Sequence, residues 1–196
     1  YQLGNRKIVS LIGWPYKTKG HHYVLRALPE LVRAFPEVVV VATGGIPSSD
    51  RRQAEEYLGS LREEAERKHM DGFFVITGYL PDDELRVLVG ITDVFVFPYD
   101  YRVNASGAVS LSLNAKKPLV VSNIPLFEEL TKTNVAISAN RANEHELANT
   151  IHRCLVDSVL KKDVKERITN YMRLNSMEAA ALEHYRLYKE LVTEWR

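Results

Sequence analysis

The sequence predicts an α/β fold: a doubly wound, mostly parallel sheet of six strands followed by a helical C-terminal tail. Three observations carry that prediction. Short β-branched runs alternate with longer stretches of helical spacing, the pattern of strands joined by crossover helices. The runs are apolar throughout rather than alternating, as in strands covered on both faces. The stretch from Asn143 to Arg196 contains no strand candidate. At 196 residues and 45% hydrophobic content, the chain can fill one sizeable core.

The first run, KIVSLIG from Lys7 to Gly13, is followed by a helix over about 20–35 with Val24, Leu28, Leu31 and Phe35 on one face. The second, Val38 to Thr43, breaks at Gly44, Gly45 and Pro47. A charged helix over about 49–69 follows, carrying Tyr57, Leu61 and Ala65 as its apolar stripe. The third, Phe73 to Thr77, leads into a short helix over 81–89 that opens on PDDE, acidic where the helix dipole favours it. The fourth is Val94 to Pro98, followed by a loop and a helix over about 105–116. The fifth is Pro118 to Ser122 and the sixth Val135 to Ser138. Beyond them, Leu147, Ile151, Leu155 and Val159 form the stripe of one helix. A last helix from Ser176 carries Met177, Ala181, Tyr185, Tyr188, Val192 and Trp195. The division expected is a sheet domain over 1–175 and a C-terminal helix over 176–196.

Composition excludes several classes. Twenty-six basic against 25 acidic residues, a net charge of +1, point to neither nucleic acid nor an acidic membrane surface as main partner, so any basic stripe would have to be local. The single cysteine, Cys154, excludes an internal disulfide framework and suits a reducing compartment. No apolar run approaches the roughly 18 residues of a membrane span, and a cytoplasmic location is expected. The chain opens on a polar YQLGNRK with no initiator Met, which reads as a piece excised from something longer.

In an open parallel sheet, ligands bind beyond the carboxyl ends of the strands, so the loops after the first four runs should converge on one crevice. In the fourth, Asn104, Ala105, Ser106 and Gly107 open a helix with small residues, where free amides and the dipole suit a phosphate. The alternative is that Asn104 or Ser106 is only an N-cap and Gly107 a packing residue. Lys19, beside Gly20 at the first strand-to-helix turn, can reach a diphosphate in that crevice, and Lys17 is a weaker candidate. Gly44 and Gly45 do not form a dinucleotide fingerprint. The six histidines show no metal-ligand spacing, and His21 with His22 reads as a helix-surface pair. No P-loop or nucleophile elbow is present, and Cys154 lies mid-helix.

Taken in order, Lys19–Gly20, TGGIP, ITGYLPDDEL, the stretch DVFVFPYDYRVNASGAVSLSLNAKKPLVVSNIPLFEEL and the closing NSMEAAALEHYRLY resemble the C-terminal domain of glycosyltransferase family 4, also called group 1, over nearly the whole chain. The resemblance implies one Rossmann-like half of a GT-B fold. It also implies a retaining transferase that moves a hexose from a nucleotide-sugar donor, such as a UDP- or GDP-hexose, to a glycan or lipid-linked acceptor. No metal or other cofactor is required in such a site, and nucleic acid is no partner. The partner would be the N-terminal half of the same enzyme, with peripheral membrane association through that half. The last helix would cross back to brace it, leaving Tyr188, Val192 and Trp195 more exposed than Met177 and Ala181.

Carried over residue by residue, Lys19 falls on the diphosphate-binding lysine and Ser106, Gly107 and Ala108 on the amides that hold the phosphates. Gly78, Tyr79 and Leu80 fall on the segment lying along the base. Two glutamates of the family fall on Asn104, near the donor sugar, and Ser112, on the ribose; both still form hydrogen bonds, without a carboxylate's charge-assisted strength. Lys19 and Asn104 are thus the catalytic candidates. An arginine common after the first strand is replaced by Trp14. These departures support a second reading, a degenerate domain that binds nucleotide, sugar or a protein without turnover. A third is an epimerase of the same architecture.

Overall fold

The computed structural model describes residues 3–100 and 106–194. The described residues contain six parallel strands: β1 (Lys7–Ile12), β2 (Val38–Thr43), β3 (Phe74–Gly78), β4 (Val94–Phe97), β5 (Leu119–Ser122) and β6 (Ile137–Ala139). Their spatial order is β3-β2-β1-β4-β5-β6. Chain direction across the sheet therefore reverses between β1 and β4, which places a crevice beyond their carboxyl ends. Register runs Val9 against Val40 and Val94, with an irregularity between β2 and β3 after Ala42.

Helices alternate between the two faces. Helices α1 (His21–Ala34), α2 (Arg51–Arg67) and α6 (Glu144–Val156) cover one, over Val9, Leu11, Val40, Val94, Val96 and Val120. Helices α3 (Asp82–Ile91), α4 (Gly107–Leu113), α5 (Glu128–Lys132) and α7 (Ser158–Leu174) cover the other, over Ile8, Val41, Phe95, Phe97 and Val121. Every strand residue from Val38 to Thr43 is consequently buried, which explains why the run is continuously apolar. A buried hydroxyl pair, Ser10 and Thr92 at 2.7 Å, is satisfied because the Thr92 hydroxyl donates to the Leu88 carbonyl and leaves its oxygen to accept from Ser10. Among the described residues no helix is long and apolar enough to cross a membrane.

Several expectations are corrected. The sixth strand begins at Ile137, because the amides of Val135 and Ala136 still donate to the Leu130 carbonyl and close the turn after α5. The short α5 itself was not anticipated. The helix expected through Val159 is two helices: Asp157 leaves helical geometry and its carboxylate accepts the Leu160 N–H at 2.9 Å, capping α7. Val159 lies in the solvent. The helix expected over 105–116 is shorter, ending at Leu113.

In the final helix α8 (Met177–Glu194) every residue whose side chain is described is exposed except Ala179, which is half-buried. The gradient expected along it is overturned, since Met177 at 84% is more exposed than Tyr188 at 61%. Trp195 lies outside the described residues.

Candidate functional site

The loops beyond the strands are tied to one another by backbone bonds. Gly13 N–H donates to the Thr43 carbonyl and Gly44 N–H to that of Gly78, joining the loops after β1, β2 and β3. Asp100 N–H donates to the Thr18 carbonyl at 2.8 Å, joining the loop after β4 to that after β1. Two glycines allow the approach. A Cβ on Gly44 would sit 1.9 Å from the Gly13 carbonyl oxygen, and one on Gly20 would sit 1.9 Å from that of Pro98. Gly20 also adopts φ +74°, the left-handed conformation that ends the turn Lys17–Lys19 and starts α1.

This packing lays the Lys19 side chain across Tyr99. Its Nζ stands 3.8 Å from the ring centroid, and partial burial pulls its pKa below the usual lysine value. No ion pair among the described residues involves Lys19. A π-face attracts the ammonium without neutralising it, so the charge stays available to an anion. Tyr99 was missed in the sequence, yet it is buried between Phe97 and Phe127 and links three parts of the site. Its carbonyl accepts the Ser122 hydroxyl at 2.6 Å, and its own hydroxyl lies 3.0 Å from Ser106 Oγ.

Ser106 is the N-cap of α4, but its side chain bonds Tyr99 instead of capping its own helix. Val109 and Ser110 N–H both reach the Ser106 carbonyl, leaving the amides of Gly107 and Ala108 without an intrahelical partner. Tyr99 links this helix start to Lys19, its ring under the ammonium and its hydroxyl at Ser106. Asn104 and Ala105 lie outside the described residues. Ser112 is buried, and its hydroxyl donates to the Ala108 carbonyl at 2.8 Å, so it is engaged by its own helix.

On the β3 side, Gly78 has φ +73° and turns the chain so that Tyr79 projects into solvent at 72% exposure beside Gly45. Leu80 packs beside the cluster of Ile8, Val39, Val41 and Leu88. Trp14 is 55% exposed and meets Tyr16 edge-on, while the Tyr16 hydroxyl donates to Asp50 at 2.9 Å. Arg141, after β6, was also missed. It grips Asp100 through Nε at 3.0 Å and Nη2 at 2.6 Å, and lies 5.7 Å from the Tyr23 ring in the first turn of α1.

His21 and His22 are buried rather than a surface pair, because the first turn of α1 faces α2. The Tyr57 hydroxyl accepts His22 N–H at 3.2 Å and stands within hydrogen-bond distance of His22 Nδ1, at 2.9 Å. Burial, then the charges of His22 and Lys19, push the His21 pKa down to about 4, and its Nδ1 has no partner. Burial pushes the Cys154 thiol up to about 12, so it is no nucleophile at neutral pH. Among the described residues no three His, Cys, Asp or Glu side chains lie close enough to hold a metal ion.

The family described as glycosyl transferases group 1 matches residues 3–173. A Mycolicibacterium smegmatis protein named GDP-mannose-dependent alpha-(1-6)-phosphatidylinositol monomannoside mannosyltransferase is 32% identical over 98 residues, covering 50% of this chain and 23% of its own length. Among solved structures, Anabaena Alr3699/HepE in complex with UDP superposes with a TM-score of 0.79 at 16% identity, over 97% of this chain and 50% of that one. The C-terminal domain of the group 1 glycosyl transferase LpcC from Francisella tularensis gives 0.71 at 14% identity, over 85% of this chain and 84% of that one. The chain thus spans half or less of the length of the first two.

Proposed function

This chain belongs to the group 1 glycosyl transferases, and on that premise we propose that it is the donor-binding half of a retaining transferase, holding a nucleoside diphosphate hexose for transfer to a glycan or lipid-linked acceptor. The observation that carries the reading is the Lys19 ammonium, poised on the Tyr99 ring with no ion-pair partner among the described residues, while the Tyr99 hydroxyl meets Ser106 at the start of α4.

When the bond between the anomeric carbon and the diphosphate breaks, negative charge builds on the leaving oxygens. Lys19 and the α4 amides stabilise that charge, and a preorganised cation in a crevice shielded from water does so far better than solvent. On this reading no metal takes part. The Gly78–Leu80 segment lines the base, Asn104 approaches the donor sugar, and the acceptor lies on the N-terminal half, braced by α8. That HepE was solved with UDP and with UDP-glucose, and that the Mycolicibacterium relative is named GDP-mannose-dependent, supports the donor class and leaves two bases to test.

Calorimetry with UDP, GDP and uridine tests the reading. Lys19→Ala should weaken diphosphate binding by roughly 1.5–3 kcal/mol, the range of a hydrogen bond to a charged group, while uridine binding stays unchanged. Equal losses for both ligands would overturn the assigned role. The second reading, binding without turnover, is favoured by Ser112, whose hydroxyl is spent on Ala108. Sugar transfer by the enzyme carrying both halves would exclude it.

A further inference from the structure

We infer a second anion site, at the opposite end of the sheet from the crevice, that binds clustered phosphate groups. The turn after α4, the residues entering β4 and β5, and the first turns of α7 enclose a cavity of about 410 Å³ lined by Lys116, Lys117, Lys161, Lys162 and Lys165. Asp93 is the only carboxylate among the described residues lining it. That carboxylate is already engaged, by Lys7 Nζ at 3.0 Å and Ile8 N–H at 2.9 Å.

None of the five lysines joins an ion pair among the described residues, although the chain pairs its charges elsewhere, as in Lys132 with Glu128 and Arg186 with Glu183. With a net charge of only +1, this is a local concentration of the kind the composition still allowed. Lys161 and Lys162 also sit near the N-terminal end of α7, where the helix dipole disfavours cations and no acidic residue occupies the first turn. The Asp157 cap offsets that field only in part. Five like charges facing one concavity repel one another, and a multiply charged anion turns that repulsion into attraction.

A cavity, as opposed to a flat basic face, suits a discrete phosphate cluster, which an oligophosphate and the headgroups of anionic phospholipids both present. The site is distinct from the crevice: Asp93 and Pro118 precede β4 and β5, and α4 separates the two ends by about 10 Å of helix.

Titration with tripolyphosphate, together with sedimentation on phosphatidylcholine vesicles with and without phosphatidylglycerol, tests the inference. K161Q/K165Q should weaken the tripolyphosphate interaction by at least about tenfold, while Lys19→Ala leaves that contribution intact. Lys165 is exposed, Lys161 is half-buried and neither belongs to the core, and an unchanged melting curve confirms that folding is not what is read. Lysine-dependent sedimentation only with the anionic vesicles assigns the site to lipid headgroups; lysine-dependent tripolyphosphate binding without sedimentation assigns it to a soluble anion. Binding equal in K161Q/K165Q and the unmodified chain, or none with either probe, overturns the proposal.

Discussion

Lowering the pH from 7 to 5 should cost the fold about 2 kcal/mol through one side chain, His21. Its imidazole is buried, its Nδ1 has no partner, and its pKa falls from the ordinary 6.5 to about 4. Above 6.5 the group is neutral in both folded and unfolded chains. Between 6.5 and 4 the unfolded chain takes up a proton that the folded chain refuses, so the free energy of unfolding falls as the pH falls. Below about 4 both states are protonated and the loss levels off at roughly 3 kcal/mol, of which about 2 is reached by pH 5. The assay is urea unfolding from pH 7.5 to 4.5 on the chain and on His21→Gln, read as the difference between the two pH dependences. Carboxylates contribute equally to both and cancel. Curves that stay parallel over the range would refute the assignment, whatever their vertical offset.

Two further outcomes follow from the contacts around Lys19. Gly20→Ala should destabilise the fold by about 3 kcal/mol or more in urea, because the new methyl meets the Pro98 carbonyl oxygen at 1.9 Å and alanine is strained at φ +74°; a loss under about 1 kcal/mol would show that the loops yield easily. Tyr99→Leu should weaken UDP binding by roughly 1 kcal/mol while Tyr99→Phe keeps it, since the ring and not the hydroxyl faces the ammonium. Equal losses in calorimetry would instead place the effect in the bond to Ser106.

Strand runs were legible in the sequence because burial on both faces leaves few polar positions to obscure them, and loop convergence was expected from the parallel sheet alone. Local hydrogen bonds decided what was not legible. Asp157 carries a capping carboxylate that apolar periodicity passes over, so α6 and α7 read as one helix. His21 and His22 look polar, but the Tyr57 hydroxyl from α2 reaches the first turn of α1 and makes burial of His22 tolerable. In the site, Lys19 was visible from its place beside Gly20. Tyr99 was hidden because an aromatic after an apolar strand reads as core, which it also is. Arg141 escaped because only the loops after the first four strands were weighed, while the loop after β6 also reaches Asp100.

Helix α8 bears on how the chain divides at about residue 175. None of its residues belongs to a core cluster among the described residues, and side chains meet within it: His184 stacks with Tyr188, Lys189 lies over Tyr185, and Arg186 pairs with Glu183. Within it Ala179 is the residue that comes closest to burial, so little apolar area leaves water when it forms. Removing the residues after Asn175 should therefore change the urea stability of the sheet by less than about 1 kcal/mol. An isolated helix of 18 residues is itself marginal in water. Its amides should exchange close to the rate of an unstructured chain, while those of α7 remain protected by Val164 and Ile168 in the core. Tyr185, Tyr188 and Val192 are exposed at 57–61%, an apolar stripe that a second surface would have to cover before the helix could be stable. A truncation that costs more than about 2 kcal/mol, or slow exchange along α8 in the monomeric chain, would show that the helix draws its stability from this domain.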